Sequence, residues 1–159
     1  MDETRRNAWV VAGFAAALDL AVVVCAFGFV SLLADVDVVA EPEVGVLLAP
    51  VAVGASVLAV LLTLGVRLAH PERMALTVVL AAALSWLTLV VVATIGHLLT
   101  TTGAVLASVL FGLGFGVGWF GLLVPAAAAI VAVTAVLVAR GRSGGMARPR
   151  WPWERDDDG

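Results

Sequence analysis

Four long apolar stretches, joined by short polar connections, occupy most of the chain. A helix that crosses the hydrocarbon core of a bilayer needs about 20 mainly apolar residues. The first stretch runs from Ala8 to Leu33, with Asp19 as its only charge. The second, Val44 to Val66, and the third, Met74 to Leu99, carry no charge. The fourth, Ala104 to Ala139, is longer than one crossing requires. As one straight helix it would measure about 54 Å, against a core of about 30 Å. The pattern predicts an all-α fold, a four-helix transmembrane bundle with spans at about 8–33, 44–67, 73–99 and 115–139. Residues 1–7 form a cytoplasmic N-terminus and 141–159 a cytoplasmic tail in this reading. The first stretch exceeds the apolar core of a secretion signal, about 7–15 residues, so it is expected to be retained as a span.

Glycine interrupts the fourth stretch at Gly112, Gly114, Gly116, Gly118 and Gly121, and Pro125 follows. Gly116 to Gly121 spells GxGxxG, the dinucleotide fingerprint. That motif works at a strand-to-helix turn with an acidic residue about 20 positions on. Here the flanks are lipid-like, and Arg140 and Gly141 stand downstream. Two membrane readings remain. Gly112/Gly116 and Gly114/Gly118 have the GxxxG spacing that lets helix backbones approach closely, with a kink near Pro125. Alternatively the glycines split the segment into a short helix, Ala104 to about Leu113, and a span from Trp119 to Ala139. Broken helices at membrane depth are tolerated where protein or a cavity surrounds them.

Composition supports the lipid setting. Hydrophobic residues make up 62% of the 159, and the mean hydropathy is +1.11. Soluble domains run at roughly 45–50% apolar. All nine cations are arginine. Arg5 and Arg6 precede the first span, Arg67 and Arg73 flank the second connection, and the remaining five follow the last span. The first connection instead carries Asp35, Asp37, Glu41 and Glu43, and the third, Thr100 to Gly103, is uncharged. Basic residues near span ends stay cytoplasmic. Four crossings put every arginine on one side, with both termini in the cytoplasm. Trp9 suits an interfacial aromatic at the start of the first span, and Pro71 and Glu72 suit the first turn of the third helix.

Few side chains carry chemistry. Asp19 stands ten residues after Trp9, about 15 Å deep by helical rise and close to the midplane. A charged carboxylate there costs about 2.5–3.5 kcal/mol on the insertion scale, so Asp19 should face the bundle. With no arginine at that depth, its expected partners are Ser56 and Thr63 in the second span and Ser85, Trp86 and Thr88 in the third. Asp19, Ser85 and Trp86 form the candidate polar site. It reads either as a proton- or cation-coupled site or as a hydrogen-bonded acid that fixes helix packing. His97, near the end of the third span, is expected at the headgroup level. Cys25 is the single cysteine and reads as a packing residue. No metal site and no cofactor are expected. The acidic connection lacks the alternating ligands and turn glycine of a calcium loop.

From Gly141 the chain becomes Gly-, Arg- and Trp-rich and then acidic, a composition expected to be disordered. Arg148, Arg150, Trp151 and Trp153 are expected to touch lipid head groups or, alternatively, to form a protein-binding motif. The acidic end, Glu154 to Asp158, argues against nucleic acid as a partner. The whole pattern resembles the small uncharacterised four-pass membrane proteins of actinobacteria, a resemblance of architecture that implies no activity. It is also similar to small multidrug transporters in having four helices with one acidic residue in the first, although this chain is longer. Three classes follow: a non-enzymatic membrane subunit, assembly factor or regulator; a small proton- or cation-coupled transporter using Asp19; and a membrane enzyme. The sequence carries no HExxH, GxSxG, paired carboxylates or nucleophile–base set, which places the enzyme last. The expected partners are the lipid bilayer and other membrane proteins or further copies of the chain. The expected location is the plasma membrane, the inner membrane of a bacterium.

Overall fold

A computed structural model of the chain describes residues 3–35, 47–68, 73–101 and 104–143. Five helices account for nearly all of them: α1 (Glu3–Ala34), α2 (Leu48–Arg67), α3 (Met74–Thr100), α4 (Val105–Val117) and α5 (Trp119–Ser143). The fold is an all-α bundle. Four of the helices, all but α4, are long and apolar enough to cross a membrane. Asp35, at φ 50°, follows α1 in the left-handed region that aspartate tolerates better than most side chains.

The helices surround one core. α1 packs on α2 and α5, and α3 packs on α2, α4 and α5, so α1 and α3 face each other across a diagonal. The buried stripes show the helical period: Ala8, Ala12, Ala15, Asp19 and Val23 on α1, and Thr77, Ala81, Ser85, Leu89, Ala93 and His97 on α3. Large apolar side chains instead point outward, among them Phe14, Phe29, Leu58, Val79, Ile95 and Ile130. Alanine and valine predominate inside, with Leu64 and Leu89 the largest fully buried side chains. Close approach of backbones through small side chains is how helices pack where lipid, not water, lies outside.

The core divides into two apolar clusters. One gathers Ala12, Ala15, Val60, Leu64, Ala81 and Val131 toward the Arg67 end. The other gathers Val23, Ala52, Val53, Leu89, Val124 and Ala127 toward the opposite end. Trp9 lies against α2: a methyl group on Gly65 would come within 2.7 Å of the Trp9 ring. The aromatic expected only at an interface thus also packs the first helix to the second.

The long fourth stretch is divided. The span expected at 115–139 begins at Trp119, because residues 115–117 belong to the preceding short helix. That helix also continues past Leu113, where the sequence reading ended it. Gly118 separates the two with an extended backbone, φ −65° and ψ 167°. Hydrogen bonds close up to the break and resume after it: the Gly118 N–H donates to the Gly114 carbonyl at 3.0 Å, and the Leu122 N–H to the Gly118 carbonyl at 3.0 Å. Pro125 lies inside α5. The same helix runs on to Ser143, past the tail boundary expected at 141. Asp37, Glu41 and Glu43, the His70–Pro71–Glu72 turn, and the tail residues Arg148 to Asp158 lie outside the described residues.

Candidate functional site

The helical period that sets the core stripes also places three polar side chains at one level of the bundle. On α1, Asp19 lies between Ala15 of the first cluster and Val23 of the second. On α2, Ser56 lies between Val53 and Val60, and on α3, Ser85 lies between Ala81 and Leu89, with the same division. All three are 0% exposed. At this level α5 presents Ala127 and Ala128. A layer of one carboxyl and two hydroxyls, walled by alanine, therefore separates two apolar cores near the middle of the helices.

The layer is only partly hydrogen-bonded. Ser56 donates its hydroxyl to the Val53 carbonyl at 2.7 Å, one turn back on its own helix. Thr63, a second expected partner on α2, likewise donates to Ala59 at 2.7 Å. Both Asp19 carboxyl oxygens and the Ser85 Oγ have no hydrogen-bond partner among the described residues. Buried polar groups in folded proteins almost always have one, from protein, water or ligand. Asp19 and Ser85 thus stand on helices that do not pack on each other, α1 and α3, while α2 and α5 pack on one another as well as on both.

Trp86 goes elsewhere. Its indole Nε1–H donates to the Gly116 carbonyl in the last turn of α4 at 2.9 Å. The reason is local: a helix end leaves its last carbonyls without partners along the chain, and the break at Gly118 creates such an end among apolar helices. The other glycines separate by role. Added methyl groups at Gly112 and Gly116 would collide with Thr94 and Val90 of α3, so this GxxxG pair is the face on which α4 meets α3. Gly114 has open space around it. A methyl on Gly121 would collide with the Phe115 carbonyl, which lets α5 start tight against the end of α4.

The same α3–α4 seam holds a group that the sequence reading placed at the headgroup level. His97 is buried. Its Nδ1 lies 3.0 Å from the fully buried Ser108 Oγ and 3.2 Å from Thr101 Oγ1. Its ring stacks on Phe111 with centroids 4.4 Å apart. The pairs His97–Ser108, Thr94–Gly112 and Trp86–Gly116 run in opposite order along the two helices, as an antiparallel contact requires. A signal was available: Ser108, Gly112 and Gly116 recur every four residues and form one narrow face.

Two apolar grooves flank α1. One, of about 350 Å³, lies between Val10, Phe14 and Leu18 of α1 and Thr134 and Val138 of α5. The other, of about 420 Å³, lies between Val24 and Phe27 of α1 and Ala49 and Pro50 of α2. Cys25 is exposed on the same helix. Among the described residues no three of His, Cys, Asp and Glu gather as metal ligands.

Comparison with curated proteins and with solved structures gives no match. A family model does match, over residues 1–159. The chain therefore belongs to a family of unknown function, DUF6121.

Proposed function

We propose that the chain is a four-pass integral protein of the plasma membrane, with both termini in the cytoplasm, that works without catalysis. In this reading it is a membrane subunit, assembly factor or regulator that acts through helix–helix contacts with other membrane proteins. One observation carries it: large apolar side chains face outward along all four long helices while Asp19, Ser56 and Ser85 face inward. Such a surface matches hydrocarbon, and its grooves beside α1 accept neighbouring helices or lipid chains. The arginines at the α2–α3 turn and at the end of α5 favour a cytoplasmic position for that side of the bundle.

A second reading, a small proton- or cation-coupled transporter, is favoured by the unpartnered carboxyl of Asp19. Intramembrane ionisable groups commonly mark ion pathways. Reconstitution separates the two. The purified chain in sealed vesicles, given a sodium or proton gradient, is expected to show the same flux as empty vesicles. It is also expected to co-purify in mild detergent at fixed stoichiometry with a membrane partner. Flux that disappears in Asp19→Asn would overturn the subunit reading in favour of transport.

A further inference from the structure

We propose that the arginine-rich end of the bundle binds the phosphate group of an anionic phospholipid, with Arg67 at its centre. Each long helix brings arginine to this end. The apolar cluster that closes it includes Ala8 of α1 and Leu64 and Leu68 around the end of α2, with Met74 of α3 and Ala139 of α5 packed against it. Arg5 and Arg6 precede Ala8, Arg67 lies between the two leucines, Arg73 precedes Met74, and Arg140 follows Ala139. Arg5, Arg6, Arg73 and Arg140 are exposed, whereas Arg67 is half-buried. Of the described carboxylates only Glu3 stands at this end; Asp19 lies near the middle of α1 and Asp35 at its far end.

Arg67 is drawn inward by its place in the helix. Position 67 continues the buried stripe of Val60 and Leu64, and helical side chains lean toward the N-terminus of their own helix, here into the bundle. One of its terminal nitrogens, Nη2, is enclosed and has no hydrogen-bond partner among the described residues. A guanidinium half-withdrawn from water without a counter-charge is costly, and an anion beside it offsets that cost. Phosphate matches the planar fork of arginine. α2 is 20 residues long, about 30 Å, the thickness of the hydrocarbon core. Arg67, in its last turn, therefore reaches the level where lipid phosphates begin. The groove between α1 and α5 lies at the same end, since Ala15 and Ala135 belong both to its wall and to the cluster. It starts at Val10, one turn beyond Arg6, and its other wall reaches Val138, two residues before Arg140. A phosphate that carries an acyl chain uses both the charged rim and the apolar groove, whereas a free phosphate uses the rim alone.

The test uses the full chain purified in nonionic detergent, with bound lipid counted by native mass spectrometry. Phosphatidylglycerol is expected to bind at least about tenfold more tightly than phosphatidylcholine with the same chains. Arg67→Gln should weaken phosphatidylglycerol binding about fivefold, the effect of one arginine beside an anionic surface, and leave phosphatidylcholine unchanged. The double variant Arg5→Gln, Arg6→Gln should weaken it as well. Its side chains are exposed, so it reports even if Arg67→Gln folds poorly. Equal affinity for the two lipids overturns the proposal, and so does unchanged phosphatidylglycerol affinity in folded Arg67→Gln or in the double variant. Displacement of the lipid by millimolar inorganic phosphate would assign the site to a free anion and overturn the lipid. The proposal rests on the reading of the chain as membrane-spanning. Binding in detergent depends neither on which leaflet this end faces nor on a membrane partner, so it and the subunit reading fail separately.

Discussion

The indole of Trp86 donates a hydrogen bond to the carbonyl of Gly116 at 2.9 Å, tying the middle of α3 to the last turn of α4. The bond supplies a partner to a carbonyl at the end of a short helix, where the chain itself supplies none. In apolar surroundings an unmade bond of this kind costs about 1–3 kcal/mol. Trp86→Phe, which keeps a ring but removes the N–H, should lower stability by about that amount. Unfolding of the purified variant in graded denaturing detergent measures it. A midpoint equal to wild type would mean that the carbonyl finds another donor.

The glycines are expected to differ sharply from one another. Gly114→Ala has open space and should be neutral or stabilising by about 0.5–1 kcal/mol, the helical advantage of alanine. Gly112→Ala and Gly116→Ala push against Thr94 and Val90 and should cost about 1–3 kcal/mol by overpacking. Gly121→Ala meets the carbonyl of Phe115, which cannot swing aside like a side chain, so it should be the most damaging of the four. The same unfolding series ranks them, and equal losses at all four positions would remove the distinction drawn between packing glycines and the open one.

These contrasts show what the sequence made legible. Hydropathy and length were enough for the all-α bundle and four long helices, because lipid-scale apolar runs have few other uses. Asp19 was readable as inward-facing because exposure to hydrocarbon is costly. Its level relative to Ser56 and Ser85 depends on helix register, which one-dimensional patterns leave free. Trp86 was grouped with Asp19 by depth alone, yet its N–H satisfies α4, an end that exists only because the backbone extends at Gly118. For His97 the sequence missed a contact for a similar reason. Its depth fits a headgroup position, but α4 covers it, and the Ser108–Gly112–Gly116 periodicity that announces this face was read as spacing between glycines alone.

Ser108 and His97 should prove energetically coupled. Ser108→Ala removes the hydroxyl 3.0 Å from His97 Nδ1 while Thr101 remains at 3.2 Å, so the loss should be partial, about 0.5–1.5 kcal/mol. His97→Phe preserves the stack on Phe111 but ends both hydroxyl contacts. In a double-mutant cycle the two changes should fall short of additivity by about 0.5 kcal/mol or more, the signature of residues in contact. Strict additivity would place the hydroxyl and the imidazole in separate roles.

The proposed orientation of the bundle rests on helix length and the placement of guanidinium groups, and it is open to direct chemical test. α1 is 32 residues long, about 48 Å, long enough to cross a hydrocarbon core of about 30 Å. α3 ends at Thr100, and Thr101 follows it on the side away from Arg67 and Arg73. Arginines near span ends resist transfer across the membrane, so the Arg73 side should remain in the cytoplasm and Thr101 should be outside. With Cys25 replaced by serine, a single cysteine at Thr101 should react in intact cells with a membrane-impermeant maleimide. A single cysteine at Arg73, which is exposed, should react only after the membrane is opened. The reverse pattern would invert the topology, and reaction at both positions in intact cells would mean that the helices do not cross the membrane as a four-pass bundle.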